Sequence, residues 1–124
     1  MQCVGVDIIE ISRIQAAKER FGERFLNRVY TALELKTCRN RPGSLAGRFA
    51  GKEAVMKALG TGVKGVGWRE IEISSERSGK PLVQLYGKAR DKAVSLGMGT
   101  LSISLSDSKE YAVAVVVSET DLSP

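Results

Sequence analysis

The sequence predicts an α+β fold, a mostly antiparallel sheet packed with one long and several short helices. Three observations carry this expectation. Residues 45–59 repeat apolar side chains at helical spacing, with Leu45, Phe49, Met56 and Leu59 on one stripe. Ile71 and Ile73, and then Leu101, Ile103 and Leu105, alternate with polar residues as half-exposed strands do. The strands after residue 70 read as antiparallel, with a turn at Ser78-Gly79-Lys80-Pro81. The 124 residues are 43% hydrophobic and 27% charged, enough for one core, so residues 1–124 read as a single domain.

In chain order, residues 4–11 are β-branched and apolar around Asp7 and Glu10, and predict a mostly buried strand. Ser12 is positioned to cap a helix carrying Ile14, Ala17 and Phe21 on one side. Thr31-Ala32-Leu33-Glu34 has the form of a capping box and starts a short helix. Asn40-Arg41-Pro42-Gly43 reads as a loop, after which Ser44 caps the helix over 45–59 and Gly60-Thr61-Gly62 stops it. Residues 63–68 form a glycine-rich turn. Strands over 71–73 and 82–86, a helix over 88–96 and a strand over 101–105 follow. Residues 111–117 are apolar on both faces, which requires either a central strand or cover from another subunit.

Composition narrows the chemistry. The chain has no histidine, which excludes Ser-His-Asp and Cys-His nucleophile systems and His-ligated metals. Cys3 and Cys38 are too few for a cysteine-rich metal site; they read as free thiols in a reducing cytosol, with a single disulfide as the alternative. No apolar run approaches the roughly 20 residues that cross a bilayer, and the N-terminus does not read as a signal peptide. The net charge of +5 falls entirely in residues 1–62, with 11 basic and 6 acidic side chains against 8 of each in residues 63–124. The first half therefore suits an anionic partner.

Two places break the apolar pattern. Lys52 falls inside the stripe of the 45–59 helix, with Glu53 on its flank and Lys57 one turn on. A snorkelling lysine beside a surface Glu53–Lys57 pair explains this, and so does a polar cleft cut into the core. Asp7 lies within an apolar strand, where a carboxylate costs several kcal/mol unless paired. A salt bridge to an arginine satisfies it; so does a meeting with Glu53 around a cation, since two oxygen ligands, waters and a phosphate commonly surround Mg²⁺. Gly60-Thr61-Gly62 follows a helix end and is no P-loop, though it lets a phosphorylated ligand approach the backbone. Trp68 stands isolated, without an assigned role.

Together these segments resemble a known family. Residues 4–14 (VGVDIIEISRI), residues 48–58 (RFAGKEAVMKA) with Gly60-Thr61-Gly62, and residues 104–114 (SLSDSKEYAVA) are similar, in order and spacing, to three motifs of the small 4'-phosphopantetheinyl transferases. The resemblance covers nearly the whole chain. It implies Mg²⁺-dependent transfer of phosphopantetheine from coenzyme A to a serine of apo acyl carrier protein, in fatty acid biosynthesis, by a homotrimer with active sites between subunits. It places the metal on Asp7 and Glu53, catalysis on Asp7, Glu53 and Lys57, and coenzyme A contacts on Arg48, Lys52, Lys57, Gly60 and Gly62. It places carrier docking on Arg13, Arg20, Phe21 and Arg24. The serine's proton goes to Glu53 or to a water at the metal, and the sequence leaves both open. Where many members carry histidine this chain has Asp107, which would repel the nucleotide and is therefore left out of the coenzyme A contacts.

A non-enzymatic nucleic-acid-binding domain is the rival reading, supported by the clustered arginines. The chain lacks interleaved aromatic and basic residues for stacking, with aromatics at 6%. A purely structural oligomer would account for residues 111–117 but leaves Asp7 and Lys52 unexplained.

Overall fold

A computed structural model describes residues 1–121. Strand β1 (Gln2–Glu10) runs directly into helix α1 (Ile11–Phe21), followed by α2 (Glu23–Val29), α3 (Ala32–Cys38) and the long α4 (Pro42–Leu59). A short α5 (Gly62–Gly65) and a 3₁₀ turn (Trp68–Glu70) lead to β2 (Ile71–Ser75) and β3 (Pro81–Leu85). Then come α6 (Gly87–Ser95), β4 (Ser102–Asp107) and β5 (Tyr111–Glu119). One antiparallel sheet has the order β1-β5-β4 and a second pairs β2 with β3, so the α+β expectation holds.

Helix α4 is the centre of the molecule. Leu45, Ala46, Ala50, Ala54, Val55, Met56 and Leu59 are buried, on more of its circumference than one stripe. It starts earlier than expected, because Pro42 occupies the first turn, where its fixed φ favours the helix and its missing N–H is no loss. Ser44 is thus inside the helix rather than its cap. Ser12 likewise does not cap α1; that helix grows straight from β1, and the Ile11 N–H donates to the Glu110 carbonyl at 2.8 Å. The Thr31 capping box is present, with Glu34 closing it.

Strand β1 is not mostly buried. Its inner face carries Gly5 and Ile9 in the core with Asp7 half-buried, while Val4, Val6 and Ile8 are exposed at 63%, 54% and 61%. Strand β5 is central, with Ala112, Ala114 and Val116 packed inward. Its outward residues continue the apolar face in rows: Val4 beside Val117, Val6 beside Val115, Ile8 beside Val113.

Gly5 sets the distance between β1 and α4. A Cβ there would lie 1.9 Å from the Ala54 carbonyl oxygen, a backbone atom inside a helix that cannot step aside. Gly5→Ala is therefore expected to destabilise the protein by about 1–3 kcal/mol or more. Urea unfolding reads this as a lower midpoint with unchanged slope; a wild-type midpoint would contradict the packing.

Candidate active site

The close approach at Gly5 also places Asp7, two residues along the same face of β1, against α4. Its Oδ1 accepts a hydrogen bond from Lys57 Nζ at 3.1 Å, and the same ammonium donates to the Val6 carbonyl at 2.9 Å. Lys57 thus pairs across to Asp7, not along the helix to Glu53, and it keeps 55% of its side chain exposed. The partner of Asp7 is this lysine and not an arginine.

Asp7, Arg13, Phe49 and Glu53 line one cavity of about 370 Å³, floored by Ile9, Ile14 and Phe25. Burial pushes the Glu53 carboxyl above its usual range, and the negative charge of Asp7 pushes it further; Lys57 and Arg13 pull it back. Two carboxylates that repel each other beside a partly exposed ammonium form a donor set that suits a hard divalent cation. One or two carboxylates plus substrate phosphates are the usual surroundings of Mg²⁺. Among the described residues there is no group of three or more acidic or cysteine side chains that could hold a metal.

The other expected site residues separate. Lys52 is fully buried, and its ammonium meets Glu34 Oε1 at 2.7 Å and the carbonyls of Trp68 and Ile71. All three of its protons are engaged, so the expected contact of Lys52 with nucleotide phosphates is corrected: it is a core residue. Burial pushes its pKa down, against the pull of Glu34. Arg48 donates to Ser75 Oγ at 3.1 Å, on the β2 side of α4, and does not line the carboxylate cavity. Gly60 and Gly62 both take positive φ at the C-terminal end of α4, the end that carries Lys57, and Gly60 closes the helix.

Arginines of α1 and α2 border two hollows that share Phe25. Arg13 belongs to the cavity wall itself, while Arg24 and Arg28 line a separate hollow with Phe21 and Phe25. Phe21 is 52% exposed, with the Arg20 guanidinium 5.2 Å from its ring centre. Asp107 turns toward the first turn of α4, where a Cβ on Gly43 would lie 3.0 Å from its Oδ2. A carboxylate is favourable at that positive helix end.

Two contributors escaped the sequence reading. Phe49 lines the cavity and stacks on Trp68, with ring centres 4.8 Å apart, which gives the isolated tryptophan its packing role. Glu34, expected only as part of the capping box, also holds Lys52 and accepts from the Ile73 N–H at 2.8 Å. The lysine in the apolar stripe was the signal for a buried carboxylate, but nothing in the spacing says which one.

Comparison with known proteins identifies the family. Residues 3–116 match the 4'-phosphopantetheinyl transferase superfamily. A holo-[acyl-carrier-protein] synthase of Dehalococcoides mccartyi (strain CBDB1) is 54% identical over 119 residues, covering 96% of this chain and 99% of the relative. The synthase of Herpetosiphon aurantiacus is 48% identical, covering 94% of this chain and 98% of its own. Among solved structures, the Helicobacter pylori holo-[acyl-carrier-protein] synthase in complex with coenzyme A superposes with a TM-score of 0.86 at 36% identity. That match covers 94% of this chain and 99% of the other.

Proposed function

The chain belongs to the 4'-phosphopantetheinyl transferase superfamily, among its holo-[acyl-carrier-protein] synthases, and on that premise we propose how its own residues carry the reaction. The enzyme transfers the 4'-phosphopantetheine group from coenzyme A to a serine of apo acyl carrier protein. The serine oxygen bonds to the β-phosphorus, the pyrophosphate P–O bond breaks, and adenosine 3',5'-bisphosphate leaves. Such transfers need positioning and positive charge more than a protein nucleophile. The observation that carries the reading is the convergence of Asp7 and Glu53 on one cavity, with Lys57 bonded to Asp7.

Asp7 and Glu53 would hold Mg²⁺, whose chemistry there is to neutralise pyrophosphate charge. Lys57, exposed at the same edge, meets the charge that develops on the leaving phosphate. Glu53 on the cavity wall, or a water beside it, takes the serine proton. Arg13, Arg20 and Arg24 with Phe21 dock the acidic carrier, and Phe25 joins that surface to the cavity into which the serine must reach. Arg24→Glu is expected to raise KM for the carrier by about tenfold, a loss on the scale of one charge contact, and leave KM for coenzyme A unchanged. Equal changes for both substrates would contradict this docking face. Arg13→Glu should also lower kcat, because Arg13 shares the cavity with Glu53.

Burial of the apolar face of β1 and β5 against two further copies gives a homotrimer, and Val6 and Ile8 on that face adjoin Asp7, whose own side chain lies on the opposite face of the strand. No helix among the described residues is long and apolar enough to cross a membrane, and both cysteines are free. The proposed setting is the cytoplasm, in fatty acid biosynthesis. Mass spectrometry of apo carrier mixed with coenzyme A, Mg²⁺ and the enzyme tests the function. One added phosphopantetheinyl group supports it, and an unchanged carrier mass across several carriers overturns it.

A further inference from the structure

We infer that the buried Glu34–Lys52 pair is a positioning device for Glu53 and Phe49, an inference that rests on the reaction proposed above. Lys52 and Glu53 are consecutive on α4, so their side chains leave the helix about 100° apart. Glu53 faces the cavity with Asp7, while Lys52 points into the core on the side of α3 and β2.

The pair ties four elements together. From α3, Glu34 Oε1 accepts from the Thr31 N–H at 2.8 Å and meets Lys52, and its Oε2 accepts from the Ile73 N–H of β2. From α4, Lys52 donates to the Trp68 carbonyl in the 3₁₀ turn at 2.9 Å and to the Ile71 carbonyl at the start of β2. Both side chains are fully buried and fully hydrogen-bonded. An arrangement this directional has a single rotation of α4 that satisfies it, unlike an apolar contact of the same size.

Trp68 carries the constraint to the cavity. Its carbonyl is held by Lys52, and its indole stacks on Phe49, one turn before Glu53 on the cavity wall. Fixing Lys52 therefore fixes both the rotation of α4 at Glu53 and the aromatic wall beside it. Lys52 and Glu34 act through Glu53 and Phe49 and touch no substrate.

Trp68 is the only tryptophan in the chain, so its emission reports this network directly. The test is the double variant Glu34→Gln with Lys52→Met, which removes both charges and leaves an acceptor for the Ile73 N–H. Beside it stands Glu34→Asp, which keeps the charge and shortens the reach. Each is assayed for transfer next to wild type, with Trp68 fluorescence recorded without substrate. The expected result is a shifted Trp68 emission and a kcat about tenfold lower or more, with KM for coenzyme A within about twofold, the pattern of lost transition-state positioning. If the double variant fails to fold, Glu34→Asp supplies the same readings. Wild-type emission and a kcat within twofold in a folded variant overturn the positioning role alone. Wild type that transfers nothing overturns the reaction on which it rests.

Discussion

Glu53→Gln is expected to lower transfer by about 10²–10⁴-fold and, with metal chelated, to raise the unfolding temperature at neutral pH. The two effects share a cause. Burial and the charge of Asp7 hold the Glu53 carboxyl above its usual range in the folded protein. The folded state therefore binds the proton more tightly than the unfolded chain does. The stability this group contributes is complete below the ordinary carboxylate range and is lost as pH rises through the higher folded value. At neutral pH the ionised Glu53 opposes folding, and glutamine removes that opposition. Thermal scans at neutral and acidic pH read the effect: the variant is more stable at neutral pH, and the gap closes once the carboxyl is protonated in both states. Mg²⁺ should raise the Tm of wild type and leave that of the variant unchanged. Wild-type transfer by the variant contradicts the role of Glu53, and an equal or lower Tm contradicts the strained site.

Val115→Asp is expected to dissociate the proposed homotrimer and with it to lower transfer sharply. Val115 sits in the middle row of the exposed sheet face, paired with Val6 on one side and Ser104 on the other. In an isolated chain that side chain is already 37% exposed, so an aspartate there leaves the core undisturbed. Buried between copies, an unpaired carboxylate costs several kcal/mol per subunit, and symmetry repeats it at every interface. Sedimentation should show a folded monomer with wild-type helical circular dichroism and transfer reduced by about 10²-fold or more, on the scale of that cost. A variant that remains trimeric, or an active monomer, contradicts the role of this face.

Much of the fold was legible because it follows local rules. Alternation gave the strands, the Thr31 box gave the start of α3, and glycines gave the end of α4. Asp7 was legible as an anomaly because a carboxylate in an apolar strand demands an explanation. Lys52 was misplaced because α4 packs on most of its circumference. A helical stripe distinguishes core from solvent, but it does not distinguish the core on the β1 side from the core on the β2 side. Two sequence neighbours, Lys52 and Glu53, therefore fall into different environments. The outer face of β1 was hidden for a related reason: apolar residues on both faces of a strand look the same whether the second face meets helices or another chain. The start of α4 at Pro42 shows backbone geometry prevailing over the side-chain capping that Ser44 offered.

The proposed reaction requires Asp7 and Glu53 to share one divalent cation. Crystals soaked with coenzyme A and Mn²⁺, a substitute that scatters anomalously, test this directly. The expected result is one anomalous peak within ligand distance of both carboxylates and a pyrophosphate oxygen, with Lys57 released from Asp7 toward the phosphates. A bound nucleotide with no peak there, and Asp7 still paired to Lys57, would contradict it.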